Sequence, residues 1–180
     1  MNFEPKLLTD KSRLQEIYKL RVSSWERSSK GATINHQLFP DGWHDELDQT
    51  ANHWVIINER DEIIASARLN IFNRLEDYPY GVLATELNIH KCTPFGFYGR
   101  LVIHPQYQGL NLSAKLIAIR ERYCETIYLR WRQALVTNAR IKNILLRLNF
   151  ECKGQIEVNY HNSTQPHLVD VFIKECHCDI

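Results

Sequence analysis

The sequence predicts an α/β domain with a mostly antiparallel sheet and helices on both faces. Three observations point there. The 180 residues are 44% hydrophobic and 24% charged, enough for one full core and too few for two comfortable ones, so residues 1–180 are expected to form a single domain. Alternating and 3.6-period apolar runs follow one another in the order β-α-(α)-β-β-β-α-β-α-β-β. Two strand pairs are separated only by short turn signals, at Arg60-Asp61 and at Asn162-Ser163-Thr164-Gln165-Pro166, which makes those neighbours antiparallel. Composition excludes other classes. Seven Gly and six Pro do not make a low-complexity chain, and 11% aromatic residues argue against disorder. No apolar run approaches the roughly 18 residues a membrane span requires. A net charge of +1 does not suit a nucleic-acid binder. Five scattered cysteines, and a start without a basic segment leading into an apolar one, predict a reduced, cytoplasmic protein.

In chain order, residues 3–8 read as a short edge strand, where Pro5 is tolerable. Thr9 or Asp10 caps a helix carrying Leu14, Ile17, Tyr18, Val22 and Trp25 to about residue 27. A loop over 28–42 leads into the acidic turn Trp43-His44-Asp45-Glu46-Leu47-Asp48, and residues 53–59 and 62–72 form a hairpin. After an irregular stretch over 73–95, a strand over 96–104 stops at Pro105. Leu112, Leu116, Ile119, Tyr123 and Ile127 mark a long amphipathic helix. Residues 132–137 are a buried strand, and Asn138 caps a helix with Ile141, Ile144, Leu145 and Leu148 on one face. Residues 150–160 and 167–175 close the chain as a hairpin.

Charge is segregated along this order. Residues 41–62 hold seven acidic side chains against Arg60, and residues 115–147 hold eight basic against Glu121 and Glu125. Such poles fit a cationic ligand at the first and an anionic one at the second, or simply two solvated faces.

The segment richest in chemistry is 101–116, a buried strand that stops at proline, turns through Gln108-Gly109-Leu110-Asn111-Leu112-Ser113 and enters a helix. The first amides of a helix lack intrahelical partners and lie at the positive end of its dipole, a ready site for phosphate oxygens. Gly109 permits close approach, and Asn111 is one of the few non-glycine residues that accept a left-handed backbone. An ordinary strand–turn–helix connection has the same pattern.

Here the sequence resembles the GNAT acyltransferase superfamily. Val102-Ile103-His104-Pro105 matches the strand end before that family's pyrophosphate loop, and Gln108 and Gly109 match the loop itself, while Asn111 and Ser113 depart from its two later small positions. Asn138-Ala139, followed by a helix ending in Leu148-Asn149-Phe150, matches a second motif in the correct order. The resemblance implies a sheet splayed between strands four and five. It also implies a coenzyme A thioester, acetyl-CoA, held by backbone groups of Leu101, Val102 and Ile103, by Gln108, Gly109, Leu110, Asn111, Leu112 and Ser113, and by Asn138. It implies direct attack by a primary amine, without nucleic acid, membrane or metal, and leaves oligomeric state open, a homodimer included.

Two family positions are changed. The helix tyrosine that protonates the leaving thiolate falls on Leu145, and the strand-four glutamate base falls on Phe97. Tyr98 and Glu86 are therefore the candidate catalytic residues, with His104 behind them. Arg21, Trp25, the Asp45-Glu46-Leu47-Asp48 cluster and Arg68 are laid out similarly to acyl-homoserine-lactone synthases, which share the core and take their acyl group from a carrier protein. Two alternatives follow: longer-chain transfer from acyl carrier protein, and a coenzyme-binding module without turnover. Cys176-His177-Cys178 offers too few ligands for a closed zinc site. Arg130-Trp131-Arg132 reads as a solvated pair at a helix end.

Overall fold

The computed structural model describes residues 3–27, 36–80, 93–158 and 166–176. Among these residues seven strands make one mixed sheet: β1 (Lys6–Leu7), β2 (Asn52–Ile57), β3 (Ile63–Phe72), β4 (Phe95–Ile103), β5 (Trp131–Val136), β6 (Glu151–Val158) and β7 (His167–Glu175). Their spatial order is β1-β2-β3-β4-β5-β7-β6, with only β4 and β5 parallel. Among the described residues three helices accompany them: α1 (Leu14–Glu26), α2 (Leu112–Thr126) and α3 (Ala139–Arg147). β1 is an edge strand as expected. The closing hairpin is also present, with its second strand lying between β5 and β6. The bracketed second helix is a single 3-10 turn, Glu46–Asp48.

Strand alternation sets the two faces. Val55 of β2 packs with Leu14, Ile17, Tyr18 and Leu20 of α1, while its neighbours Trp54 and Ile56 pack with Leu112, Leu116 and Ile117 of α2. Helices therefore cover opposite faces, because successive strand side chains point to opposite sides. A third cluster, of Phe72, Tyr78, Phe95 and Phe97 with Val169, Val171 and Ile173, occupies the sheet beyond α1.

One irregularity organises the middle of the sheet. Ser66 pairs with Val102 but Arg68 pairs with Gly99, so β4 spends one more residue than β3 over the same interval. Arg100 adopts φ 49° at that bulge. Pairing of β4 with β5 runs from Phe95 to Tyr98 and stops there, whereas β5 continues along β7 to Val136. The two parallel strands thus part just where β4 bends, as a bulge bends its strand and disrupts the ladder. This is the splay expected between strands four and five.

The loop carrying the acidic turn is strapped to α1. Asp41 O accepts from Gln15 Nε2, and Trp43 N donates to Tyr18 O at 3.1 Å. Gly42 sits at φ +113°, and a Cβ there would lie 2.7 Å from the Tyr18 carbonyl carbon. Gly42→Ala is therefore expected to lower unfolding free energy by about 2–4 kcal/mol, combining backbone strain with a clash against main chain. Gly109→Ala, where no atom lies within 4 Å of the added carbon, should cost only about 1–2 kcal/mol from its positive φ. Urea unfolding of the pair checks this order.

Candidate active site

On the end of the sheet where β4 and β5 part, two structures face each other across β4: an open loop on the α2 side and a buried ion network on the α1 side.

The loop follows the 3-10 turn Pro105–Tyr107, which starts after His104 and is held by Gln106 N donating to His104 Nδ1 at 3.3 Å. His104 is thus a turn residue. Gly109 has φ +88° and Asn111 φ 60°, the left-handed conformation that lets the chain turn into α2. The Asn111 side chain makes no capping bond, so it does not occupy the first amides of α2. Leu110 projects into solvent and Leu112 is buried in the core beneath. On β4, Leu101, Val102 and Ile103 are half-buried and have no β5 ladder partner. Ile103 O accepts from Ser24 Oγ at 3.1 Å. Asn138 Oδ1 accepts from Arg140 N at 2.9 Å and Ile141 N at 3.2 Å, so that oxygen is engaged in capping α3 and leaves Nδ2 and the main chain to meet a ligand.

On the α1 side, residues far apart in sequence converge. Arg21 grips Asp48 with both terminal nitrogens, at 2.7 and 2.8 Å. Arg68 Nη1 reaches Asp48 Oδ1 at 2.9 Å and also Asp45 Oδ1. Arg100, turned by the bulge, donates to Asp45 Oδ2 through Nη2 at 2.6 Å and Nε at 3.2 Å, and its guanidinium lies 4.1 Å over the Trp43 ring. A capping box joins the two acids: Asp45 N donates to Asp48 Oδ2 and Asp48 N to the Asp45 side chain. His53 Nε2 lies 3.0 Å from Asp48 O. Trp25 packs edge-on to Trp43 with ring centroids 5.1 Å apart.

Two of the seven acids of the 41–62 stretch are thereby taken out of the acidic pole, while Asp41, Glu46, Glu59, Asp61 and Glu62 stay exposed. Asp48 is wholly buried, and each oxygen of Asp45 and Asp48 already accepts from a guanidinium. The partners of these two acids lie in α1, β3 and β4. Burial alone would push Asp48 up, but Arg21 and Arg68 outweigh it and hold the carboxyl well below its usual range. Burial pushes His53 down, so it stays neutral near pH 7. Polar atoms in and beside this network that are buried without partners include Arg21 Nε, His53 Nδ1, Arg68 Nε and Asn70 Oδ1. Each such atom costs about 1–3 kcal/mol when it meets neither protein nor water.

Tyr98 lies on the other face. Its hydroxyl donates to Glu121 and its ring sits 4.6 Å under the Arg120 guanidinium, both on α2. Burial pushes the phenol well above its ordinary range, so it stays protonated. The structure therefore does not bring Tyr98 to the ion network. Glu86 falls outside the described residues. Arg132 is buried in β5 rather than solvated at a helix end, and it is Arg130 that is exposed, paired with Glu175.

Arg100, Trp43, Asn70 and Tyr80 were missed by sequence reasoning. Tyr80 packs near Phe97, with centroids 6.2 Å apart. A glycine inside a strand often marks a bulge, and Gly99 before Arg100 was such a signal. Asn70, the polar residue in an otherwise apolar stretch of β3, was another.

Because Asp48 ionises more readily folded than unfolded, its contribution is complete above the ordinary carboxylate value of 3.8 and fades as pH falls below it. Thermal unfolding from pH 6 to pH 2 should show stability falling below about pH 4. Asp48→Asn should flatten that acid limb while lowering stability at pH 7 by about 3–5 kcal/mol, since it strands two buried guanidinium groups.

Among the described helices none is long and apolar enough to cross a membrane. The model of the acetyltransferase (GNAT) family matches residues 14–141. Solved structures with the same fold include FeeM, an N-acyl amino acid synthase from uncultured soil microbes (TM-score 0.69, 11% identity, 97% of this chain and 91% of that one). Arylalkylamine N-acetyltransferase 2 from Aedes aegypti is similar (TM-score 0.67, 15% identity, 97% and 99%). So is yncA, a putative acetyltransferase from Salmonella typhimurium with its cofactor acetyl-CoA (TM-score 0.65, 14% identity, 100% and 98%). No curated protein matched by sequence. The parted parallel strands, the glycine turn into α2 and the matched span together make this chain a member of the GNAT acetyltransferase family.

Proposed function

We propose that the protein is an N-acyltransferase that moves an acyl group from a coenzyme A thioester, acetyl-CoA in the simplest form, to a primary amine. The observation that carries this reading is the gap between β4 and β5 opening beside an uncapped helix N-terminus. Backbone groups of Leu101, Val102 and Ile103 are suited to the pantetheine arm. The amides from Gln108 to Ser113 are suited to the diphosphate, and Asn138 is proposed as a further donor through Nδ2.

In the reaction a neutral amine attacks the thioester carbonyl. A C–N bond forms, the C–S bond breaks, and one amine proton ends on the departing thiolate. A β4 amide in the gap would stabilise the developing oxyanion, and holding both substrates supplies the rest of the advantage. Tyr98 remains a proposed proton donor to the thiolate, a role that requires its hydroxyl to leave Glu121. Glu86 is the proposed carboxylate for the ammonium proton. A reducing cytoplasm is the proposed setting, in which the thiols of Cys124 and Cys152 would stay reduced.

A second reading has a specific observation behind it. Arg21, Asp45, Asp48 and Arg68, the residues laid out similarly to acyl-homoserine-lactone synthases, form one network. The aromatic wall of Phe72, Tyr78, Phe95 and Phe97 beside the gap would suit a longer acyl chain, delivered by a carrier protein.

Calorimetry is expected to give a Kd for acetyl-CoA between about 1 µM and 1 mM, the common range for enzyme substrates. Gly109→Trp, whose side chain meets open space, should weaken it at least about tenfold by blocking the amides. No binding at millimolar acetyl-CoA would reject the coenzyme reading. Thiol release across an amine panel then separates an enzyme from a binding module, and turnover only with acyl carrier protein would establish the second reading.

A further inference from the structure

The loop proposed for the diphosphate is weakly held from within. No atom lies within 4 Å of a Cβ added to Gly109, and Leu110 is exposed. Asn111 makes no capping bond, and the bond from Gln108 N to Pro105 O is long, at 3.4 Å. A glycine-containing loop left to itself loses much conformational freedom when a ligand orders it.

Both ends of this loop are held from outside. At its entrance, Tyr107 N donates to His104 O at 2.9 Å, and the Tyr107 hydroxyl accepts from Asn58 Nδ2 at 3.1 Å. Asn58 is the hub of the β2–β3 turn. Its Oδ1 accepts from Arg60 N and Glu62 N, both at 2.9 Å, which fixes the amide orientation and directs Nδ2 to Tyr107. Its main chain closes the same turn, with N donating to Glu62 O at 3.0 Å and O accepting from Asp61 N at 3.1 Å. The Tyr107 ring packs edge-on against Phe3 and His104, with centroids 5.8 and 5.7 Å away. At the exit, Lys115 in the first turn of α2 donates to Phe3 O at 2.8 Å and to Glu4 Oε1 at 2.9 Å. Phe3 thus meets the loop at both ends, through its ring at Tyr107 and through its carbonyl at Lys115.

We propose that Tyr107 is a positioning residue for the thioester donor. Held by Asn58 and Phe3, it fixes where the loop begins, so that the diphosphate meets amides already set in a curve. Tyr107 acts through the main chain and its hydroxyl is tied to the β2–β3 turn, not to the donor. Ordering completed on folding raises affinity without adding a contact to the ligand. The hydroxyl can be removed with little other disturbance, because Asn58 Nδ2 keeps Glu62 Oε2 at 2.6 Å and a phenyl ring keeps the packing on Phe3. The inference rests on the acyl-transfer reading and concerns only its donor.

The test is calorimetry of the full-length protein with two thioesters. One is acetyl-CoA. The other is S-acetylpantetheine, which has the arm and the thioester but no diphosphate, measured by displacement of acetyl-CoA. Tyr107→Phe should weaken acetyl-CoA about 3- to 10-fold, the net worth of one hydrogen bond. It should leave S-acetylpantetheine within about twofold, the scatter of independent sites. In Gly109→Trp protein, whose loop amides are already blocked, Tyr107→Phe should change acetyl-CoA binding by less than about twofold. The proposal is overturned if Tyr107→Phe alters acetyl-CoA affinity by less than about twofold, if both thioesters weaken by the same factor, or if the effect persists undiminished beside Gly109→Trp. That second background decides where the shorter thioester is too weak to displace acetyl-CoA. Failure of the unaltered protein to bind acetyl-CoA would instead remove the acyl-transfer reading itself.

Discussion

One additional residue in β4 governs the rest of the molecule. Between the pairs Ser66–Val102 and Arg68–Gly99 the strand takes an extra step, with Arg100 in the left-handed region. On one side of β4 that step coincides with the end of the ladder with β5 and opens the gap proposed for the thioester's arm. On the other side it turns the Arg100 side chain toward Asp45 and Trp43. A left-handed arginine is strained by about 1–3 kcal/mol, and it persists because its guanidinium is fixed by a carboxylate and an indole. The same deformation therefore builds the proposed donor gap and completes the ion network.

The two halves are mechanically joined. Arg120 of α2, buried to the point that its pKa is pushed down to about 10, donates to the carbonyl of Arg68 at 3.0 Å and to that of Leu116. Arg21 ties α1 to the loop bearing Asp48, and Ser24 ties α1 to the end of β4. The helix whose N-terminus faces the proposed diphosphate is thus bonded to the strand that carries Arg68 of the ion network. Such a frame suits a reaction whose main requirement is to hold two substrates in register.

Periodicity carried most of the fold. The alternation of 53–59 and 62–72, the proline stop after His104 and the Asn138 cap each became an element within a residue or two. Those signals are local, and local physics decides them. The insertion of β7 between β5 and β6 is a choice among edges of similar apolarity, which periodicity does not encode. The network was legible in part, because the resemblance to acyl-homoserine-lactone synthases grouped Arg21, Asp45, Asp48 and Arg68, but the ion pairs themselves and Arg100 were not. Asp45 and Asp48 lie in an acidic run, and their partners are 20 to 55 positions away. A charge count along the sequence therefore leaves them either a pole for a cationic ligand or a solvated face, and cannot reveal their buried partners. The glycine turn into α2 was legible because it is written in consecutive residues, 108–113.

The central claim is that main-chain amides after Pro105 hold the diphosphate of a thioester donor while the freed edge of β4 holds its arm. Amide hydrogen exchange with and without acetyl-CoA reads those groups directly. The account predicts slowed exchange concentrated at residues 109–114 and along 99–103, with the β2–β3 turn at 58–62 unchanged. Protection spread evenly over the chain, or confined to a face away from the opening between β4 and β5, would contradict it.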